Sequence, residues 1–262
     1  MICSSAPETK FATARRQIVS ARSLALFLDF DGTLAPICPF ADDARLEPDV
    51  RETLEALVER PDVLVAIVSG RELWDLRRRV GIHGIVYAGE NGMEIRGRGT
   101  QFIEPAALAR RGVIKLIARE LISSLREIPG VFVEEKHLTI AVHFRLAPPG
   151  DKQKIRDTMR SVVEMADRQV EIRPGKMVWE VLPRTGWRKG AAVDWIYRSC
   201  AAKDTLPIYA GDDESDEDAF RYLSGGITIR VGEEQTTAKY TLAGPSEVHQ
   251  FLLWLNLSRP LP

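Results

Sequence analysis

The chain has 262 residues, enough for one large domain or two modest ones, and its 45% hydrophobic and 28% charged content is that of an ordinary globular protein. A formal net charge of -1 supplies no basic field and argues against nucleic-acid or anionic-membrane binding. Three scattered cysteines, Cys3, Cys38 and Cys200, form neither a disulfide framework nor a metal-ligand spacing, which points to a reducing, cytoplasmic setting, and no apolar run reaches membrane-spanning length.

Residues 1–22 read as an N-terminal extension, a frayed start and a short helix. Arg15, Arg16 and Arg22 accompany no apolar core of a signal peptide, and Glu8 argues against a transit peptide. Residues 24–28 (Leu-Ala-Leu-Phe-Leu) form an apolar run that predicts a buried strand, ending in Asp29-Phe30-Asp31-Gly32-Thr33. A loop with Pro36 and Pro39 leads to an amphipathic helix over 48–59, with Val50, Leu54, Leu57 and Val58 on one face. Residues 63–68 predict a second buried strand that runs into Ser69-Gly70-Arg71, followed by a helix over 71–80 and a strand at 85–88. The Gly-rich piece at 92–100 reads as a hairpin turn. Strands alternating with helices imply βαβ units and a parallel sheet.

From residue 104 the style changes to a long helix at 106–127, paired strands at 131–134 and 138–144, a helix at 151–166, and strands at 169–173 and 177–182. Adjacent strand pairs suggest an antiparallel α+β module. The first style then returns: a helix to 200, a strand at 206–210, an acidic turn and helix at 211–223, a strand at 226–231 and a helix at 246–257. The division is therefore an extension (1–22), a discontinuous core (23–103 and 183–262) and an inserted module (104–182).

Four segments of the core stand at strand ends or helix starts, where α/β sheets bind ligands. Asp29 and Asp31 would repel at the end of a buried strand unless a cation or catalytic duty holds them, although an Asp-Gly turn alone also ends strands this way. Ser69 could turn a hydroxyl and nearby amides toward an anion, or simply cap a helix. Lys189 at a helix start opposes the helix dipole and needs another reason to be there, unless it is merely exposed. Asp212, Asp213, Glu214, Asp216, Glu217 and Asp218 crowd one turn. A hard divalent cation such as magnesium would offset that repulsion, and a solvated helix cap is the alternative. No nucleotide-binding Gly-x-x-x-x-Gly-Lys-Ser/Thr loop and no His-Glu-x-x-His site occurs, and the four histidines show no ligand spacing.

These segments resemble the four motifs of the haloacid dehalogenase superfamily of aspartate-nucleophile phosphatases. More specifically, Asp-Phe-Asp-Gly-Thr-Leu, Ala88-Gly89-Glu90-Asn91-Gly92, Gly175-Lys176-x-Val178-x-Glu180-Val181 and Gly-Asp-Asp-x-Ser-Asp-Glu-Asp-Ala-Phe resemble the trehalose-6-phosphate phosphatases, over residues 22–257. The resemblance implies an α/β fold with a Rossmann-like parallel-sheet core and the inserted α+β module as a cap domain. It implies Asp29 as nucleophile and Asp31 as acid and base, with Ser69 and Lys189 on the phosphoryl oxygens. It further implies Mg2+ held by Asp29, the backbone carbonyl of Asp31 and Asp212, with Asp213 and Asp216 behind the metal or on its water. Thr33, Gly70 and Arg71 would border the phosphate, and Glu134, Lys136, Arg145, Lys176 and Glu180 would bind the sugar from the cap strands. Charge pattern alone reads those five as a salt-bridged solvent face. Trp187-Arg188 before Lys189 and Ser215 in the acidic motif depart from the usual family pattern.

The function so implied is hydrolysis of a small sugar phosphate, trehalose 6-phosphate, in a pathway coupled to a trehalose-phosphate synthase. Sucrose 6-phosphate or a glycosyl-phosphoglycerate is the alternative substrate, and a mutase the alternative reaction. A non-catalytic regulatory module would be expected to lose Asp29, Asp31, Lys189 or Asp212, and all four are present.

Overall fold

The computed structural model describes residues 6–38, 41–166, 168–175 and 177–259. It divides into two compact units, Met1–Phe102 with Arg188–Pro262, and Ile103–Trp187. In chain order the first unit opens with α1 (Ala6–Ser20), β1 (Leu24–Leu28), α2 (Pro48–Glu59), β2 (Val63–Val68), α3 (Leu73–Val80), β3 (Val86–Gly89), β4 (Glu94–Gly97) and β5 (Thr100–Ile103). The second holds α4 (Pro105–Ala109), α5 (Arg111–Leu125), β6 (Phe132–Glu135), β7 (Ile140–His143), α6 (Lys152–Glu164), β8 (Val170–Gly175) and β9 (Val178–Pro183). The chain then completes the first unit with α7 (Lys189–Cys200), β10 (Leu206–Gly211), α8 (Asp216–Tyr222), β11 (Ile227–Val231), β12 (Tyr240–Leu242) and α9 (Pro245–Ser258).

The eight-stranded sheet of the first unit runs β12-β11-β10-β1-β2-β3-β4-β5. It is parallel from β12 to β3, and β4 pairs antiparallel with β3. Every residue of β1, β2 and β11 is buried, as expected of parallel strands covered on both faces. Val50, Leu54 and Leu57 of α2 and Val248, Phe251, Leu252 and Leu255 of α9 join the core formed with Leu26, Leu28 and Ile67. Successive crossovers carry the chain from β1 toward β3 on one side and from β10 toward β12 on the other. The order therefore reverses between β1 and β10, the switch point at which such sheets open a crevice.

Asp62 ties the far end of this unit together. It pairs with Arg60 at 3.2 Å and with Arg259 at 2.6 Å, while Arg259 also donates to the carbonyl of Ala21 at 2.9 Å. Burial alone would raise the Asp62 carboxyl, but Arg259 and Arg60 outweigh it and hold it below the ordinary range. A carboxyl with a lowered folded pKa contributes stability above its unfolded value and loses it as pH falls. Asp62→Asn is expected to cost about 1–3 kcal/mol at neutral pH, because the buried guanidinium groups lose their acceptor. The cost should shrink below about pH 4, as urea melts at pH 7 and pH 3.5 would measure.

In the second unit the antiparallel sheet runs β6-β7-β9-β8. Its residues alternate between faces. Ile140, Val142, Trp179 and Val181 share a core with Ile114, Ile117, Leu121 and Leu125 of α5 and with Ile155, Met159 and Val162 of α6. The pairing register sets Glu134, Ala141, Glu180 and Arg173 in one cross-strand row on the opposite face.

Several sequence expectations are corrected. The helix expected over 106–127 is two helices, because the chain leaves helical geometry at Arg110 (φ -93, ψ 1), just before Arg111-Gly112, where glycine weakens helix propagation. The piece at 92–100 is more than a turn: β4 occupies 94–97, and Arg98 (φ 49) and Gly99 (φ 76) make the turn. Lys136 and Arg145 lie beyond the ends of β6 and β7 rather than on them. Lys136 closes the β6–β7 loop by donating its backbone N–H to the Thr139 carbonyl at 3.0 Å. β12 carries no periodic signal in only three residues.

Candidate active site

Asp29 ends the central strand and is 4% exposed; its N–H donates to the Ala210 carbonyl at 2.9 Å, so its backbone stays tied to β10. The chain then turns sharply, with Leu34 and Ala35 both donating to the Phe30 carbonyl, at 3.0 and 2.9 Å. Gly32 permits this turn. It sits at φ +84, and a Cβ there would fall 2.2 Å from Asp212 Oδ2, so only glycine lets the two strand-end loops approach. Thr33 is fully buried, and its Oγ1 has no hydrogen-bond partner among the described residues. An unsatisfied buried hydroxyl is costly, and this one lies in the turn that follows Asp29.

Lys189 begins α7 and is buried. Its Nζ donates to Asp29 Oδ1 at 2.8 Å and to Asp216 Oδ1 at 2.7 Å. Two carboxylates therefore outweigh the unfavourable helix dipole. The same helix start is satisfied by Asp218, whose carboxylate accepts the Gly190 N–H at 3.0 Å. Asp216, at 0% exposure, also accepts from Tyr209 at 2.6 Å and from the Asp213 N–H at 2.9 Å, so both of its oxygens are engaged.

The electrostatics follow from this crowding. Burial pushes the Asp29 carboxyl well above its ordinary range; Lys189 opposes the shift, while Asp216 and Asp212 add to it. Burial would lower Lys189, but Asp216 and Asp29 overcome it and hold the ammonium well above its ordinary value. Carboxylate oxygens of Asp29, Asp212 and Asp216 lie within 4.8 Å of one another. An oxygen-only anionic donor set of this kind suits a hard divalent cation such as Mg2+.

The Ser69 loop is built by a left-handed turn. Glu90 (φ 50) and Asn91 (φ 59) are both buried in this conformation, which L residues seldom adopt. Their N–H groups donate to the Arg71 and Ser69 carbonyls at 2.7 and 2.9 Å, locking the segment that follows β2. The Ser69 hydroxyl, 1% exposed, accepts the Arg71 N–H at 3.2 Å. The Arg71 guanidinium forks onto Asp31, at 2.7 and 2.8 Å, joining the Ser69 loop to the Asp29 loop.

Of the residues singled out from sequence, Asp29, Asp212, Asp216 and Lys189 converge on one cluster, and Asp31, Ser69 and Arg71 form a connected group. Gly70 occupies the turn between Ser69 and Arg71, half-buried. Asp213 differs from Asp216: it is half-buried, with its carbonyl accepting from Arg230 at 2.9 Å and its carboxylate from Ser215 at 3.3 Å. In the second unit Glu134 bonds His143 at 2.9 Å, Lys136 reaches Glu180 at 3.5 Å, and Arg145 is exposed in the turn after β7. Lys176 lies outside the described residues. Sequence reasoning missed Tyr209 and Arg230, both concealed within apolar strands.

The switch-point sheet with an inserted module and an acid cluster at its strand ends is the fold of the haloacid dehalogenase-like hydrolases. One from Bacteroides thetaiotaomicron shares the fold with a TM-score of 0.62 at 15% identity, over 88% of this chain and 98% of that one. The chain belongs to the trehalose-phosphatase family, whose profile matches residues 27–246. It is 36% identical over 241 residues to the trehalose-phosphate phosphatase of Mycobacterium tuberculosis, a match spanning 88% of this chain and 61% of that relative's length. The crystal structure of a trehalose-6-phosphate phosphatase related protein aligns with a TM-score of 0.79 and 27% identity, covering 89% of this chain and 97% of that one. Among the described residues no helix is long and apolar enough to cross a membrane.

Proposed function

We propose that the chain is a Mg2+-dependent phosphatase that hydrolyses trehalose 6-phosphate to trehalose and phosphate through an aspartyl-phosphate on Asp29. The observation that carries this reading is the Lys189 ammonium bridging Asp29 and Asp216, with Asp212 close by. A buried carboxylate held on one oxygen by a lysine keeps its other oxygen for attack.

Asp29 attacks phosphorus, and the bond to the sugar oxygen breaks as that oxygen takes a proton from Asp31. Water then attacks the aspartyl-phosphate, giving its proton to Asp31 as the bond to Asp29 breaks and phosphate departs. Lys189 and the Ser69 hydroxyl steady the phosphoryl oxygens, and Thr33, Gly70 and Arg71 border them. Asp29, the Asp31 carbonyl and Asp212 would hold Mg2+, while Asp216, whose two oxygens accept bonds within the protein, would stand behind them. When bound, the cation neutralises the charge that would otherwise keep a carboxylate from a phosphate dianion. Asp213 and Asp216 brace this loop from behind.

The inserted unit serves as the cap, with Glu134, Lys136, Arg145, Lys176 and Glu180 holding sugar hydroxyls and excluding water. A trehalose-phosphate synthase would supply the substrate. Phosphate release from trehalose 6-phosphate, sucrose 6-phosphate and glucose 6-phosphate, with and without a chelator, tests the reading. Trehalose 6-phosphate is expected to lead by about tenfold or more in kcat/KM. The chelator should stop turnover, and added Mg2+ should restore it. Turnover that survives chelation overturns the metal role, and equal rates on the three sugars overturn the substrate.

A further inference from the structure

Arg71 is nearly buried, its side chain only 10% exposed, and it carries two carboxylates at once. Its Nε and Nη2 donate to the two oxygens of Asp31, while Nη1 donates to Asp75 Oδ2 at 2.8 Å. The guanidinium also sits over the Phe30 ring, 5.5 Å from its centroid. Asp75 Oδ2 also accepts from Arg79 at 2.6 Å and its Oδ1 from Arg78 at 3.4 Å, and Arg79 is itself held by the carbonyls of Asp42 and Ala44, both at 3.0 Å.

Both Asp31 oxygens accept from Arg71, and the Asp31 side chain is 38% exposed. A proton taken up on either oxygen weakens that oxygen's bond to Arg71, so proton transfer loosens the fork. Releasing Asp31 from a buried guanidinium would leave that charge poorly compensated unless a second carboxylate stays with it. The geometry points to Asp75 as that carboxylate. We propose that Asp75 is a positioning residue for proton transfer: it retains Arg71 when Asp31 turns to the substrate. The inference rests on the role proposed for Asp31. Asp75 also lies in the first turn of α3, so a purely helix-stabilising role is the competing explanation.

Leaving groups separate the two. A sugar alkoxide needs a proton to depart, whereas 4-nitrophenolate does not, and kcat/KM reports only the steps through departure. In Asp75→Asn, kcat/KM for trehalose 6-phosphate, or for whichever alkyl phosphate the wild-type chain turns over fastest, is expected to fall about tenfold or more, with less than a roughly twofold change for 4-nitrophenyl phosphate. Asp75→Glu should recover most of the loss. Arg79→Gln breaks the outer pair and leaves the Arg71–Asp75 bond, so it should lower the melting temperature without altering the ratio between substrates. Equal losses on both substrates, no loss on either, or the same ratio change in Arg79→Gln would overturn the role of Asp75. A wild-type chain that hydrolyses neither phosphate ends the proposed function itself.

Discussion

Asp29→Asn is expected to reduce turnover by about four to six orders of magnitude while making the metal-free protein more stable. The amide is nearly isosteric but cannot form the acyl phosphate, so the loss is in chemistry rather than binding. The gain follows from the same burial. Asp29 shares its site with Asp216 and Asp212, and burial together with those neighbours disfavours its charge. Its folded pKa is raised, so ionisation destabilises the fold as pH climbs above the unfolded value of about 4. The asparagine removes that penalty while Lys189 keeps its bond to Asp216. A gain of about 1–2 kcal/mol at pH 7 in chelator, vanishing below about pH 4, is the expected result. Urea melts would show it as a shifted midpoint at unchanged slope. A destabilised variant at pH 7 would mean that the Asp29–Lys189 bond outweighs the repulsion among the acids.

Lys189→Met is expected to do the opposite to stability and lesser, though still severe, harm to activity. It removes the cation that bridges Asp29 and Asp216 and leaves buried carboxylates facing one another. Breaking a buried pair from one side costs about 3–5 kcal/mol. Turnover should fall by about 10²–10³-fold or more, the usual effect of losing a donor to a transition-state oxygen. Because the penalty is largely charge on charge, adding Asp29→Asn to Lys189→Met should recover part of the lost stability. A double-mutant cycle is expected to show a coupling of about 1–3 kcal/mol. Saturating Mg2+ should also stabilise Lys189→Met, since a ligand that binds only the folded chain shifts the equilibrium toward it. Strict additivity in the cycle would contradict the pairing.

Much of this arrangement was legible because the chain signals its strand ends abruptly. The runs at 24–28 and 63–68 stop at Asp29 and Ser69, and both strands lie where the apolar pattern placed them. Lys189 was conspicuous for a physical reason, a cation at a helix start, and Asp29 and Asp216 supply the answer. The residues that brace the site were harder to read. Tyr209 and Arg230 stand inside strands that read as plain core, and the hydroxyl and guanidinium matter only through partners folded against them. Asp75 resembles any acid in the first turn of a helix until Arg71 is seen to bend back to Asp31. The acidic turn could not be divided from composition. Burial separates fully enclosed Asp216 from half-buried Asp213, and local sequence carries no information about burial on that scale. The ends of β6 and β7 were misjudged because Lys136 and Arg145 adjoin apolar runs without joining the pairing ladder.

The pairing of β1 with β10 fixes when the site can come into being. Leu28 lies opposite Ala210, so the strands that carry Asp29 and Asp212 are separated in the chain by the entire inserted unit. As the chain leaves the ribosome, β1 emerges early and can pair with β2, but the strand that covers its other edge, β10, comes only after the inserted unit. The inserted unit, with a hydrophobic cluster of its own, can condense in the interval. An apolar strand left with one bare edge is a template for pairing with the wrong chain. Nascent chains halted after the inserted unit should therefore lack the acid cluster and be prone to aggregate, whereas chains halted after β12 should have closed that edge. Joining segments so far apart makes assembly of the cluster a late event in folding.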